Sequence, residues 1–386
     1  MDGFRVAPAT AASPRRTSLT FKKDHILADW IEHSDALCDL FERAPAMIGL
    51  DTEFMRIDTF LPRLALVQIE LDGRIALIDP TAAIDPAPLA AVLANPAHVC
   101  VMHSASEDLE ALATWSCSIA QLFDTQIAAS FAGLGTGLGY QKLVRELTGV
   151  ELPKGETRSD WLRRPLSEQQ LEYAAQDVIH LPALHAELGE RVERRGYSAW
   201  LAEDCARMLE RARQREPDPQ PQIALRGAAE WPIERQALLR RVLRWREATA
   251  RAINRPRPWL LDDAHALDLS ARPPTSADEL AERSKGQRAL RGAQRADLLD
   301  VLNAPLAADE REFTAIPHAP TVREKTVIAA MKEVVAARAT ELDLPEGLLC
   351  SRRHLETLLA TTRWPNALEG WRRGVLHDDL IALLPA

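Results

Sequence analysis

Residues 47–54 read Met47-Ile48-Gly49-Leu50-Asp51-Thr52-Glu53-Phe54, an apolar run that closes on two carboxylates two positions apart. A strand turns alternate side chains to opposite faces, so Asp51 and Glu53 share one face. Two acids placed there repel each other, and such a pair is often only a solvated strand edge. Here the preceding run is wholly apolar and Phe54 follows at once, which holds at least part of the pair near a core. Downstream, Leu64-Ala65-Leu66-Val67-Gln68-Ile69-Glu70 and Arg74-Ile75-Ala76-Leu77-Ile78 flank Asp72-Gly73, a dipeptide suited to a tight hairpin. Val99-Cys100-Val101-Met102 reads as another short buried strand, and helical spacing follows at 106–114, 140–148 and 167–195. Strands interleaved with helices predict an α/β domain.

Working outward, the chain of 386 residues is long enough for two or three domains at about 150 residues each. With 46% hydrophobic and 27% charged residues, global disorder is excluded. No apolar run approaches the ~18 to 20 residues of a membrane helix, and the first residues lack a secretory pattern, so a soluble cytoplasmic protein is expected. Cysteines at 38, 100, 117, 205 and 350 are scattered, which indicates neither a disulfide framework nor a zinc site. Residues 1–200 hold 18 Lys+Arg against 28 Asp+Glu, whereas 201–386 hold 29 against 28, so the acidity of the −9 chain sits in its first half. Residues 1–24 lack periodicity and read as a disordered tail ahead of an α/β domain over 25–213. The stretch 214–232 carries Glu216-Pro217-Asp218-Pro219-Gln220-Pro221 and reads as a linker. Beyond it the spacing is helical, with a first module over 233–303, a second linker over 304–320 and a second module over 321–386. Pro256, Leu260 and His265 recur as Pro345, Leu349 and His354 at a constant offset of 89, which suggests two copies of one small module.

Two further sites carry acids. Asp108 stands at the start of a helix, where acids favour the positive end of the helix dipole and Ser104 or Ser106 could cap. Tyr173 and Asp177 lie four apart and share one helix face, next to an apolar side marked by Leu171, Ala174, Val178 and Leu181. Each feature alone has a structural explanation, but an acid pair on a strand, an acid on a following helix and a Tyr-x-x-x-Asp on a later one form an ordered constellation. It resembles the DEDD superfamily of 3′ to 5′ exonucleases, in the subgroup with tyrosine in the third motif. The stretches Arg63–Ile69, Leu138–Val144 and Ser159–Leu166 are similar to those of the ribonuclease D family, and the C-terminal half resembles two HRDC modules. The likeness spans roughly residues 25 to 385.

The resemblance implies a ribonuclease-H-like exonuclease domain, a mixed sheet flanked by helices, followed by two small all-α HRDC domains. It maps Asp51, Glu53, Asp108 and Asp177 onto metal-binding carboxylates and Tyr173 onto the residue that positions the attacking water. Two divalent cations, Mg²⁺ or Mn²⁺, are implied, which suits carboxylate oxygens because both ions are hard. The implied activity is 3′ to 5′ exoribonucleolytic trimming of RNA, tRNA precursors with 3′ extensions above all, releasing nucleoside 5′-monophosphates. A monomer with no membrane partner is expected. Phe54, Gln68, Lys142 and Trp161 are candidates for substrate contact, Lys142 to phosphate and Trp161 to a base, although a tryptophan ahead of a helix also serves packing. Two other readings stay open: a DNA exonuclease, because no residue identifies itself as a reader of the 2′-hydroxyl, and a non-catalytic RNA-binding adaptor, which would normally have lost one of the five site residues.

Overall fold

Seven strands make one mixed sheet in the order β1-β2-β5-β4-β3-β6-β7. They are β1 Thr17–Thr20, β2 Leu27–Ile31, β3 Met47–Met55, β4 Arg63–Leu71, β5 Arg74–Ile78, β6 Val99–Met102 and β7 Gln121–Asp124. The structure, a computed structural model, describes residues 17–20, 27–153, 155, 159–214 and 216–385. The β4–β5 hairpin pairs Leu71 with Arg74 across Asp72 and Gly73, both at positive φ (48° and 86°). That is the backbone a two-residue turn requires to match the twist of its strands. β3 runs parallel to β6, and β6 to β7, so the C-terminal ends of all three lie at one edge of the sheet.

Helices form within the stretches that the sequence spacing marked, the one over 167–195 dividing at His180 into Glu168–Ile179 and Leu181–Arg194. The Ser106–Thr114 helix packs on β3, and Glu168–Ile179 lies over β3 and β5. The latter begins with a capping box, Ser167 accepting from the Gln170 N–H while the Gln170 side chain accepts from that of Ser167. Its Ala174, Ala175 and Val178 pack with Ala65, Leu66, Leu77, Val101, Trp161 and Leu181 into one buried cluster. Arg164 pins the loop before this helix, reaching both Asp79 oxygens and the carbonyls of Ala65 and Trp161.

Residues divide into two compact units. The first comprises Met1–Met55, Leu64–Ala129 and Leu138–Leu209; the second, Arg56–Arg63, Ser130–Gly137 and Glu210–Ala386. In the second, the helices Ile233–Ala252, Arg257–Leu260 and Asp263–Ala271 recur as Val322–Glu341, Glu346–Leu349 and Arg352–Thr361. The repeat extends to the backbone: Asn254 and Asp343 both take positive φ (49° and 51°), and Asp262 caps His265 as Ser351 caps His354. Leu260 and Leu349, like Leu269 and Leu358, are wholly buried. Phe60 also belongs to this unit, buried in the cluster of Leu239, Val242, Leu260 and Leu290, with Asn254 Oδ1 accepting from the Phe60 and Leu61 N–H groups.

Three stretches expected to lie outside the domains are structured in part. Within the expected tail 1–24, Thr17–Thr20 forms β1 and pairs antiparallel with β2; residues 1–16 and 21–24 lie outside the described residues. The linker expected over 214–232 is packed from Pro221 onward, with Gln222 and Ala228 wholly buried. The stretch expected as a linker over 304–320 closes against it and against the helix that follows: Gln222 donates to the Thr314 carbonyl, the Ile316 N–H donates to Gln236 Oε1, and Glu310 pairs with Arg241. Proline content masked these contacts, since the polar atoms that make them carry no periodic signal.

Candidate active site

β3 delivers Asp51 and Glu53 to the face covered by the later helices. Gly49, two residues earlier on that face, leaves room for the neighbouring strand: a Cβ there would lie 3.1 Å from Glu70 Cβ on β4, while Leu181 Cβ at 3.4 Å is ordinary contact. Thr52, pointing oppositely, donates from Oγ1 to Asp108 Oδ1 at 2.6 Å and so ties the first turn of the Ser106–Thr114 helix to the strand. Tyr173 and Asp177 project from Glu168–Ile179, and the Tyr173 hydroxyl donates to the Asp177 carboxylate. Gly155 lies against the tyrosine ring, where an added Cβ would overlap Tyr173 Cε2. Trp161 lies beside it, with ring centroids 6.1 Å apart.

The electrostatics show that these acids converge. Burial, then the charges of Asp108, Asp177 and Glu53, lift the Asp51 carboxyl well above the carboxylate range. Burial, then Asp177 and Asp108, pushes Glu53 up to about 9. Asp177 is raised to about 7 by burial against the opposing Tyr173 hydrogen bond, and Asp108 to about 6 by burial against that of Thr52. Tyr173 is raised by burial and by Asp177, so its hydroxyl keeps its proton. Among the described residues no three His, Cys, Asp or Glu side chains are gathered tightly enough to form a ready-made cation cage. The donor set nevertheless fits hard divalent cations: mutually repelling carboxylates with raised proton affinity are what positive charge between them would relieve.

All five expected catalytic residues therefore lie around one place. Of the expected substrate contacts, Phe54 is partly exposed and Lys142 exposed, so both can meet a ligand. Gln68 and Trp161 need correction. They are 0% and 2% exposed, sealed under the helix that carries Tyr173, and present no surface to substrate. Sequence reasoning missed Thr52, hidden as the middle residue of Asp-x-Glu, and Gly155, one glycine in an aperiodic loop. It also missed Tyr140, whose hydroxyl donates to the Gln176 carbonyl at 3.1 Å beneath Asp177 and Asp51. His103 bonds Thr125 Oγ1 through Nδ1 at 2.9 Å, and burial lowers its pKa, which disfavours its charged form.

A mixed sheet with four carboxylates and a tyrosine at one end defines a nuclease of the 3′-5′ exonuclease class, and comparison with known proteins agrees. Residues 28–193 match the 3'-5' exonuclease family model and residues 235–302 the HRDC domain. Ribonuclease D of Xanthomonas oryzae pv. oryzae is 46% identical over 366 residues, covering 92% of this chain and 98% of that protein. Ribonuclease D of Granulibacter bethesdensis is 36% identical over 90% of this chain and 89% of its own. The crystal structure of Escherichia coli RNase D, described as an exoribonuclease involved in structured RNA processing, superposes with a TM-score of 0.81 at 29% identity, covering 92% and 97% of the two chains. The chain belongs to the ribonuclease D family. It is a 3′-5′ exoribonuclease of a fold that uses divalent metal ions. Among the described residues no helix is long and apolar enough to cross a membrane.

Proposed function

We propose that this exoribonuclease is a DEDD-type enzyme of the tyrosine subgroup that trims the 3′ ends of structured RNAs, tRNA precursors with short extensions above all. It would act as a cytoplasmic monomer and release nucleoside 5′-monophosphates. The observation that carries the reading is the convergence of Asp51, Glu53, Asp108 and Asp177, each with its proton affinity raised by burial and, except for Asp108, by charges within the set. Their oxygens would hold two cations, Mg²⁺ or Mn²⁺. Bound there, the cations would supply Lewis acidity and a more acidic water. Tyr173, protonated and hydrogen-bonded to Asp177, orients a water by donating or accepting a hydrogen bond and does not act as a base. Phe54 and Lys142, both accessible, are the candidates for contact with base and phosphate. The recurrence of three helices at one offset supports reading residues 321–386 as a second HRDC module. One comparison tests the substrate: a tRNA with a 3′ extension against a DNA oligomer of the extension's sequence. Trimming of the RNA at least tenfold faster is expected, and equal rates would overturn the RNA assignment.

A further inference from the structure

Gln68 is wholly buried on β4, yet neither its carboxamide oxygen nor its nitrogen has a hydrogen-bond partner. Buried amides are almost always paired, so an orphan beside a reaction centre calls for an explanation. Its surroundings follow from strand geometry. β3 and β4 are neighbours joined by the short connection 56–62, which is too short to carry the chain back for a parallel pairing, so they run antiparallel. Gly49 faces Glu70 across this pair. Stepping two residues along each strand in opposite senses sets Gln68 opposite Asp51, on the same face and with Cβ atoms about 5 Å apart. On the other flank β5 sets Leu77 opposite Gln68, and Leu66, Ala174, Val178 and Leu181 close the region with apolar surface. Glu70, two residues along, turns to the hairpin, where its Oε1 accepts from the Gly73 N–H. The polar group that the register brings directly across from Gln68 is thus the Asp51 carboxylate, at the reach of one side chain.

We infer that Gln68 is a positioning residue of the reaction: its carboxamide nitrogen donates to the ionised Asp51 carboxylate, fixing that group's rotamer and leaving its remaining lone pairs to the cations. The inference rests on the reading of Asp51 as a metal ligand. Hydrogen bonds to ligating groups hold them in place, and their removal typically weakens metal affinity or activity by about 10- to 100-fold. In the metal-free chain the amide has no partner, so it contributes no hydrogen bond to the stability of that form.

The test uses the full chain carrying Gln68→Met, which keeps length and bulk but removes both polar atoms. Mn²⁺ binding is read by calorimetry, unfolding temperature in chelator, and kcat and KM on a 3′-extended RNA. The expected result is Mn²⁺ affinity and kcat each lower by about tenfold or more, KM within about twofold, and an unfolding temperature equal to or above the parent's. Unchanged Mn²⁺ affinity would overturn the proposal whatever happens to stability. So would an unfolding temperature that falls while affinity holds, which marks a packing residue. Should Gln68→Met fail to fold, Gln68→Leu is read on the same affinity. Asp51→Asn, measured in parallel, separates the two ideas: if it keeps turnover, the metal-ligand reading itself falls, and if it alone is inactive while Gln68→Met is normal, only the positioning role is lost.

Discussion

Each carboxyl of the site is raised because burial strips its water, with charged neighbours lifting Asp51 and Glu53 further, and this makes the site fold most readily with its protons on. The sign follows from linkage. A carboxyl whose folded pKa exceeds its unfolded value of about 4 binds protons more tightly when folded, so its contribution to stability is full below that value and is lost as pH rises through the folded pKa. With Asp177 at about 7 and Glu53 at about 9, chelator-treated protein should lose thermal stability as pH rises from about 6.5 to 8. Saturating Mg²⁺ should flatten the slope, and an equal slope with and without Mg²⁺ would show that these acids do not share a cation. This window lies above the range where the buried His103 and His185, whose pKa values are lowered, act in the opposite direction. Asp51→Asn removes one of the charges that would hold the proposed cations. Turnover should fall by about a thousandfold, or about 4 kcal/mol of transition-state stabilisation, with the fold intact by circular dichroism. Activity within about threefold of the parent would remove Asp51 from the site.

At the level of single elements, the Glu168–Ile179 helix controls where the Tyr173 hydroxyl, proposed to orient the water, sits. Tyr173→Phe deletes that hydroxyl and leaves every carboxylate, so turnover should drop by about 10- to 1000-fold while Mn²⁺ affinity by calorimetry persists. Loss of both together would make Tyr173 structural. Gly155→Ala should reach a similar rate by another route, since its methyl would overlap the Tyr173 ring, which Trp161 flanks. A crystal structure of that variant should show Tyr173 displaced, and a native Tyr173 with native rates would refute the contact. The strands and the catalytic helices were legible because β3, β4 and β6 are apolar runs and because Tyr173 and Asp177 keep helical spacing. Gly155 was not legible, because what it accommodates is a ring distant in sequence. Nor was the burial of Gln68 and Trp161, since a polar residue on a strand reads as solvent-facing until the helix above it is known. The segment 56–63 shows the same limit: Phe60 looks like any loop residue, yet it packs into the core with Leu260 and Leu290.

For the whole molecule, charge separates the parts, with the acidic first half repelling a polyanion except where cations would offset its carboxylates. The helical half is richer in arginine, but most of those guanidinium groups are engaged internally: Arg241 with Glu310, Arg246 with Asp263 and the Leu261 carbonyl, Arg352 with Glu356 and Arg373 with Glu369. Arg244 and Arg353 are exposed and are the better handles for phosphate. Removing one arginine–phosphate pairing should lower the slope of log affinity against log salt by about 0.7 to 0.9, so the pair Arg244→Ala and Arg353→Ala should bind tRNA-sized RNA more weakly and less salt-dependently. An unchanged slope would take both residues out of the interface. Directional, metal-dependent trimming is the property on which every assignment above depends. The measurement that addresses it is the product ladder of a 5′-labelled, 3′-extended tRNA incubated with full-length protein in Mn²⁺ or in chelator. The expected ladder shortens one nucleotide at a time from the 3′ end, releases nucleoside 5′-monophosphates and vanishes in chelator. Internal cuts, nucleoside 3′-phosphates or full activity in chelator would contradict it.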